Sequence, residues 1–192
     1  MRKAVYVLSG IVLLFSIFAF GVPKQRSVQT LEPKVVPKKP VSKNIKVTMK
    51  IKNRGTVVLE LYPSKAPKTT AHILSLIDKK FYDGQRFHRV EDWVVQWGDP
   101  GSRNPAKAKH PIGTGGSGKN VPFEDTGIRF SRGTLGLAST GLKVGGDSQM
   151  FILRKDAFRL DGNYCAFGRV VKGMDVVDKI KKNDIIVSMR KS

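Results

Sequence analysis

At 192 residues and 40% apolar content, the chain has room for one ordinary domain plus extra segments, and disorder throughout is excluded. Thirty-five Lys and Arg against 15 Asp and Glu leave a formal charge of +20 at pH 7, which draws a protein to anionic lipid, wall polymer or nucleic acid without choosing among them. The only cysteine, Cys165, rules out an internal disulfide and a multi-cysteine metal site, and in the apolar run YCAFGRVV it reads as a buried, inert thiol.

Residues 1–22 carry two early basic residues and then an almost uncharged apolar run. At ~1.5 Å per residue this run just crosses a ~30 Å hydrocarbon core, and it is longer than the apolar region of about 7–15 residues in a typical signal peptide. Length therefore favours an uncleaved transmembrane anchor, while Ala19-Phe20-Gly21 offers small residues for a signal peptidase; both readings stay open. Either one implies membrane association or export, with the following domain on the extracytoplasmic side. Residues 23–44, PKQRSVQTLEPKVVPKKPVSKN, repeat proline and lysine without apolar periodicity and read as a semi-extended, self-repelling tether.

The folded domain is expected over residues 45–192. IKVTMKI and GTVVLELY alternate with period 2 around Lys52-Asn53-Arg54-Gly55, the pattern of an antiparallel hairpin. The period then changes: Pro67 suits a first helical turn, and Ile73, Leu76, Ile77 and Phe81 share one helical face. Short strands follow at RFHRV, WVVQWG, GTLGLAS, QMFILR and CAFGRVV, separated by glycine-rich turns. A second helix at about residues 174–181 and a last strand, DIIVSMR, complete the pattern. This mainly β arrangement of short strands, with a helix near each end, predicts a closed or nearly closed β-barrel capped by helices.

GTGGSGKN, from Gly113 to Asn120, comes within one residue of a nucleotide phosphate loop, but Asn120 stands where a hydroxyl should bind magnesium. No buried strand precedes it, and Pro122 denies it a following helix to aim amides at a phosphate. It reads as a glycine-rich surface loop.

Eight segments occur in one order: GTVVLELYPSKAPKTTAHILSL, FYDGQRFHRV, VVQWGDP, GTGGSG, FEDTG, GTLGLAS, DSQMFIL and LDGNYCAFGRVVKGMDVVDKI. In this order and with these gaps the domain resembles a cyclophilin-type peptidyl-prolyl cis-trans isomerase. The resemblance implies a mainly β fold, a closed eight-stranded antiparallel β-barrel capped by two α-helices, with a substrate groove on its outer face, binding of proline-containing unfolded or extended polypeptides, and assistance to protein folding. Arg89 would be the catalytic donor and Gln96 the residue that orients it. Trp93, Val94, Phe151, Leu160 and Tyr164 would wall a proline pocket. Ala138 and Ser139 would present backbone to the peptide, and Gln149 would complete the polar edge. No metal, nucleotide or organic cofactor, no specific nucleic acid, and a monomer are expected.

The residue types suit that chemistry. Rotation about a peptide bond meets a barrier of ~18–20 kcal/mol because the nitrogen lone pair is delocalised into the carbonyl. In the twisted transition state the lone pair returns to nitrogen. An apolar pocket that desolvates the planar amide, and a fixed donor aimed at the lone pair, both favour twisting. Guanidinium supplies such a donor in a rigid fork. That logic expects Arg89 in a desolvated setting and His88 as a packed, hydrogen-bonded structural residue, since isomerisation transfers no proton overall.

Three departures from the family pattern stand out. Glu91-Asp92 makes the turn before Trp93 one residue short, Trp97 replaces a glycine next to Gln96, and Arg159 stands where cyclosporin-sensitive members carry tryptophan. Two other functions compete with the enzyme: a low-turnover proline-peptide chaperone or scaffold using the same groove, and a polyanion binder. The first would not need both Arg89 and Gln96, and the second would need stacking aromatics that the tether lacks.

Overall fold

Alternating burial begins at once in the computed structural model, which describes residues 43–192; the leader at residues 1–22 and the tether as far as residue 42 lie outside the described residues. Strands β1 (Ile45–Ile51) and β2 (Gly55–Leu61) pair from Ile45↔Leu61 to Ile51↔Gly55. Val47, Met49 and Ile51 face the core with Val57, Leu59 and Leu61, as period 2 requires. Asn53 takes the left-handed conformation of the connecting turn, at φ 58°, which its short polar side chain tolerates.

Helix α1 (Pro67–Asp78) starts with proline in its first turn and follows Ala66, which has no side chain to cap it. Glu124, far along the chain, supplies the cap instead, accepting from the Lys68 amide at 3.0 Å and the Thr69 amide at 2.8 Å. Its apolar face, Ile73, Leu76 and Ile77, is buried.

The remaining strands are β3 (Arg89–Val90), β4 (Val94–Trp97), β5 (Thr134–Ser139), β6 (Gly146–Leu153), β7 (Cys165–Lys172) and β8 (Ile186–Lys191). Helix α2 (Met174–Asp178) is shorter than expected. After it, the Lys179 and Ile180 amides bond three residues back, to Val176 and Val177, and the helix does not continue. One antiparallel sheet runs in the order β3-β4-β6-β5-β7-β2-β1-β8.

That order leaves β3 and β8 as edges, so the closed barrel expected from the sequence is corrected to an open half-barrel with two helices. The reason is the length of β3. It pairs only two residues with β4, too few to carry a ladder across to β8. At the seam the chain ahead of β3 meets β8 through one isolated bridge, Arg86↔Ile185, supported by the Ile186 amide donating to the Gln85 carbonyl at 2.9 Å.

Strands β4 to β7 are apolar on both faces. Their inward residues, among them Val95, Trp97, Leu135, Leu137, Met150, Ile152 and Phe167, join the main core with α1 and α2. Their outward residues, Val94, Phe151, Leu153 and Ala166, form a second cluster with Phe130 and Ala157. Continuous runs such as VVQW and MFIL therefore mark strands buried on two sides. This second cluster carries the site.

Candidate active site

One cross-strand row on the outer face sets the geometry: Arg89 opposes Gln96, Gln96 opposes Phe151, Phe151 opposes Gly136, and Gly136 opposes Ala166. At Gly136 a Cβ would collide with Phe151 and lie 2.8 Å from Phe130 Cε1, so only glycine leaves room for the two stacked rings, whose centroids are 5.8 Å apart. The polar end of the row thus sits beside an aromatic floor.

A relay of amides fixes that polar end. Gln149 Nε2 donates to the Gly113 carbonyl at 2.9 Å and the Gly115 carbonyl at 2.8 Å, which leaves its Oε1 to accept from Gln96 Nε2 at 2.8 Å. Gln96 Oε1 in turn faces Arg89, accepting from Nη1 at 3.4 Å. Each amide in the series is oriented by the one behind it, back to the glycine loop.

The short turn before Trp93 has a structural use. Glu91 Oε1 accepts from Arg89 Nε and Glu91 Oε2 from Trp93 Nε1, both at 2.7 Å, so a single carboxylate ties arginine to indole. The hydrogen bond from Arg89 holds the Glu91 carboxyl below its ordinary range. The Arg89 guanidinium also lies 5.3 Å from the Trp93 ring centroid. Sequence reasoning flagged the shortened turn but not this bridge.

A cavity of about 270 Å³ is lined by Arg89, Trp93, Val94, Gln96, Ala138, Ser139, Phe151, Leu160 and Tyr164 together with Arg159. Nine of the ten expected site residues therefore meet in one place. Gln149, the tenth, lines an adjoining cavity of about 390 Å³, which shares Gln96, Ala138 and Ser139 with the first and is otherwise walled largely by residues 113–116 and 144–147. Two joined hollows on an outer sheet face suit an extended peptide.

Two expectations, for Arg89 and His88, are corrected, and the departure at Trp97 is accounted for. Arg89 is exposed, its side chain 43% so, and not in the desolvated setting that the chemistry of amide twisting led us to expect. An edge strand of two residues has no neighbour to cover it, and an incoming ligand would have to do so. Trp97 does not crowd Gln96: strand alternation turns it inward, fully buried and 5.4 Å from the Phe87 ring. The glycine that is needed is Gly98, at φ 114°, where a Cβ would strike the Ser148 carbonyl. His88 is packed, but both of its ring nitrogens are buried without a hydrogen-bond partner among the described residues, and burial lowers its pKa.

Residues that sequence reasoning missed hold the glycine loop. Asp99, fully buried, accepts from the Gly101, Gly113 and Gly115 amides and from His110 Nε2. Asp147 accepts from the Gly118 and Lys119 amides, from Ser117 Oγ and from His72 Nε2. The loop's amides are thus directed at internal carboxylates. Only the acidic residues in QWGDP and GGDSQ hinted at this, and neither motif names its partners. Cys165 is a buried free thiol, its pKa pushed up to about 11 chiefly by burial.

Comparisons with known proteins show the family and the fold. Residues 46–191 match the family model described as cyclophilin type peptidyl-prolyl cis-trans isomerase/CLD. A Brucella suis protein named "Probable peptidyl-prolyl cis-trans isomerase" is 42% identical over 140 residues, covering 71% of each chain. A Helicobacter pylori peptidyl-prolyl cis-trans isomerase is 35% identical, covering 71% of this chain and 81% of its own. The crystal structure of a Cryptosporidium parvum cyclophilin type peptidyl-prolyl cis-trans isomerase superposes with TM-score 0.67 at 25% identity, covering 78% of this chain and 98% of that one; the same protein was also solved in the presence of the dipeptide Ala-Pro.

Proposed function

We propose, from the premise that this chain belongs to the cyclophilin-type peptidyl-prolyl cis-trans isomerase family and is a peptidyl-prolyl cis-trans isomerase, that it binds proline-containing peptide, and how its residues act and where. The proline ring enters the cavity over Phe151, against the apolar side formed with Val94, Leu160 and Tyr164. The flanking backbone lies along Ala138 and Ser139. Arg89 directs a guanidinium N–H at the prolyl nitrogen as the amide twists, and Gln96, set by Gln149, holds that fork in place. The bound peptide excludes the water that reaches Arg89 in the free enzyme, and the hydrogen bond to a weak acceptor gains strength accordingly.

The observation that carries this reading is the amide relay from the glycine loop through Gln149 and Gln96 to Arg89, beside an aromatic floor. No proton need be transferred, which leaves His88 and Cys165 outside the chemistry. The clients are extended or unfolded polypeptides outside the cytoplasm, whose folding the domain assists, and residues 1–22 keep it at the membrane. Apolar length and the Lys/Pro tether support this location.

Two experiments test the reading. In a protease-coupled or NMR-exchange assay of the full-length protein, Arg89→Ala should cost about 100-fold or more in kcat/KM with the fold intact. A folded variant of undiminished activity refutes the assignment. Fractionation tests location: protein that resists high salt, leaves membranes only in detergent and begins at Met1 supports the anchor, whereas a mature N-terminus near Val22 identifies a removed signal peptide.

A further inference from the structure

Two arginines line the cavity over Phe151, and their electrostatic surroundings differ. Arg89 is matched by Glu91 at 2.7 Å. Arg159, exposed on the short 3-10 turn Phe158–Leu160, pairs with no carboxylate among the described residues. The acids that flank Trp93 and Arg159 along the chain already have partners. Glu91 holds Arg89 and Trp93; Asp92 pairs with Lys155 at 2.8 Å. Asp161 accepts from the Phe130 amide at 2.7 Å and pairs with Arg129 at 3.5 Å, and Asp156 accepts from the Arg132 amide at 2.7 Å.

Nor is Arg159 a loose surface cation. Its guanidinium lies 4.3 Å from the centroid of the Trp93 ring, whose Nε1 is tied to Glu91. Stacking on a fixed indole places the charge at the cavity rim while leaving the fork's N–H groups open to solvent. Arg159 lines the first cavity but not the second. A peptide seated in both hollows would send one flank over Ala138 and Ser139 towards the glycine loop, and its other flank would leave through the first cavity, which Arg159 lines.

We propose that Arg159 makes this isomerase selective for X-Pro segments carrying Asp or Glu within two residues of the proline, on the flank that runs away from the glycine loop. The proposal rests on the cavity being the proline site. A carboxylate one or two residues from a seated proline is within reach, since extended chain advances ~3.3–3.6 Å per residue. Arginine is suited to receive it because its planar fork binds carboxylate through two parallel N–H groups.

The test uses the full-length protein at low ionic strength and blocked pentapeptides of sequence Ala-Ala-Pro-Ala-Ala, with Glu, Gln or Lys placed in turn at each position other than proline. Kd is read by NMR titration and turnover by NMR exchange. Glu on one side of the proline should bind about three-fold more tightly than Gln, the scale of an exposed ion pair, and Lys should bind more weakly. Arg159→Gln should bring the Glu to Gln ratio to one. Lys50→Gln, which removes an exposed charge from β1, should leave it unchanged and so separate a local effect from that of the net charge. Equal affinity for Glu and Gln at every position, or a preference that survives Arg159→Gln, overturns the proposal. Turnover of the reference peptide with no such preference defeats this inference alone. Selective binding of the Glu peptide through Arg159 without turnover of any peptide upholds it and defeats the catalytic reading.

Discussion

Asp99→Asn tests whether the glycine loop is held as the structure indicates. Asp99 Oδ1 accepts from the Gly101 amide at 2.7 Å and from His110 Nε2 at 2.9 Å, and Oδ2 accepts from the Gly113 amide at 2.7 Å and the Gly115 amide at 3.1 Å. The three amides must donate, whereas the part-exposed His110 ring can change tautomer and accept. An amide side chain keeps one acceptor, so with its NH2 group turned towards Gly101 and His110 it still leaves the Gly101 amide unpaired, and turned the other way it leaves both Gly113 and Gly115 unpaired, at a buried site. At about 1–3 kcal/mol for one buried donor left unpaired, the substitution should cost about 1–3 kcal/mol. For a domain of this size that lowers Tm by roughly 3–10 °C. Loss of the clamp should also move the Gly113 and Gly115 carbonyls that orient Gln149, and several-fold in kcat/KM should go with them. Thermal and urea unfolding followed by circular dichroism give the first number, and an isomerase assay well below the variant's Tm gives the second. A Tm within about 1 °C of the parent's would refute the count of donors. Parental activity in a destabilised but folded variant would refute the link from loop to Gln149.

Gly136→Ala should destabilise by about 1–3 kcal/mol and weaken proline-peptide binding, because the new methyl must displace Phe151 or Phe130 from the cavity floor; unchanged Kd by NMR titration would show that the floor yields freely. Acid stability should fall in two stages when unfolding free energy is followed against pH. Burial lowers the folded pKa of His88, so its contribution is complete above the unfolded value of about 6.5 and is lost as pH falls below it. Asp83 and Asp178 are lowered chiefly by hydrogen bonds from Arg190 and Arg132, so their contributions hold above about pH 4 and vanish below it; constant stability from pH 7 to 5 would contradict the first stage. Cyclosporin should bind poorly and Arg159→Trp should improve binding, since the parent presents a hydrated charge at that rim position; tight inhibition of the parent in the isomerase assay would refute this.

The sequence by itself determined what depends on neighbours along the chain. Alternation announced the β1–β2 hairpin, helical spacing announced the buried face of α1, and the ordered segments identified the family and nearly all of the cavity's residues, since such signals repeat every two or four positions. Tertiary structure decided what depends on residues that meet from far apart. Strands β4 to β7 are apolar on both faces, so their pattern could not say which face closes the core and which carries the site; pairing with Phe130, Ala157 and Leu160 chose the outer one. The length of β3, and with it the open half-barrel and the exposure of Arg89, followed from which partners lay within ladder distance. Glu124 capping α1 across 55 residues, and Asp99 gathering amides from a loop up to 16 residues on, leave no periodic trace, because a carboxylate's partners are set by where the folded backbone brings its N–H groups.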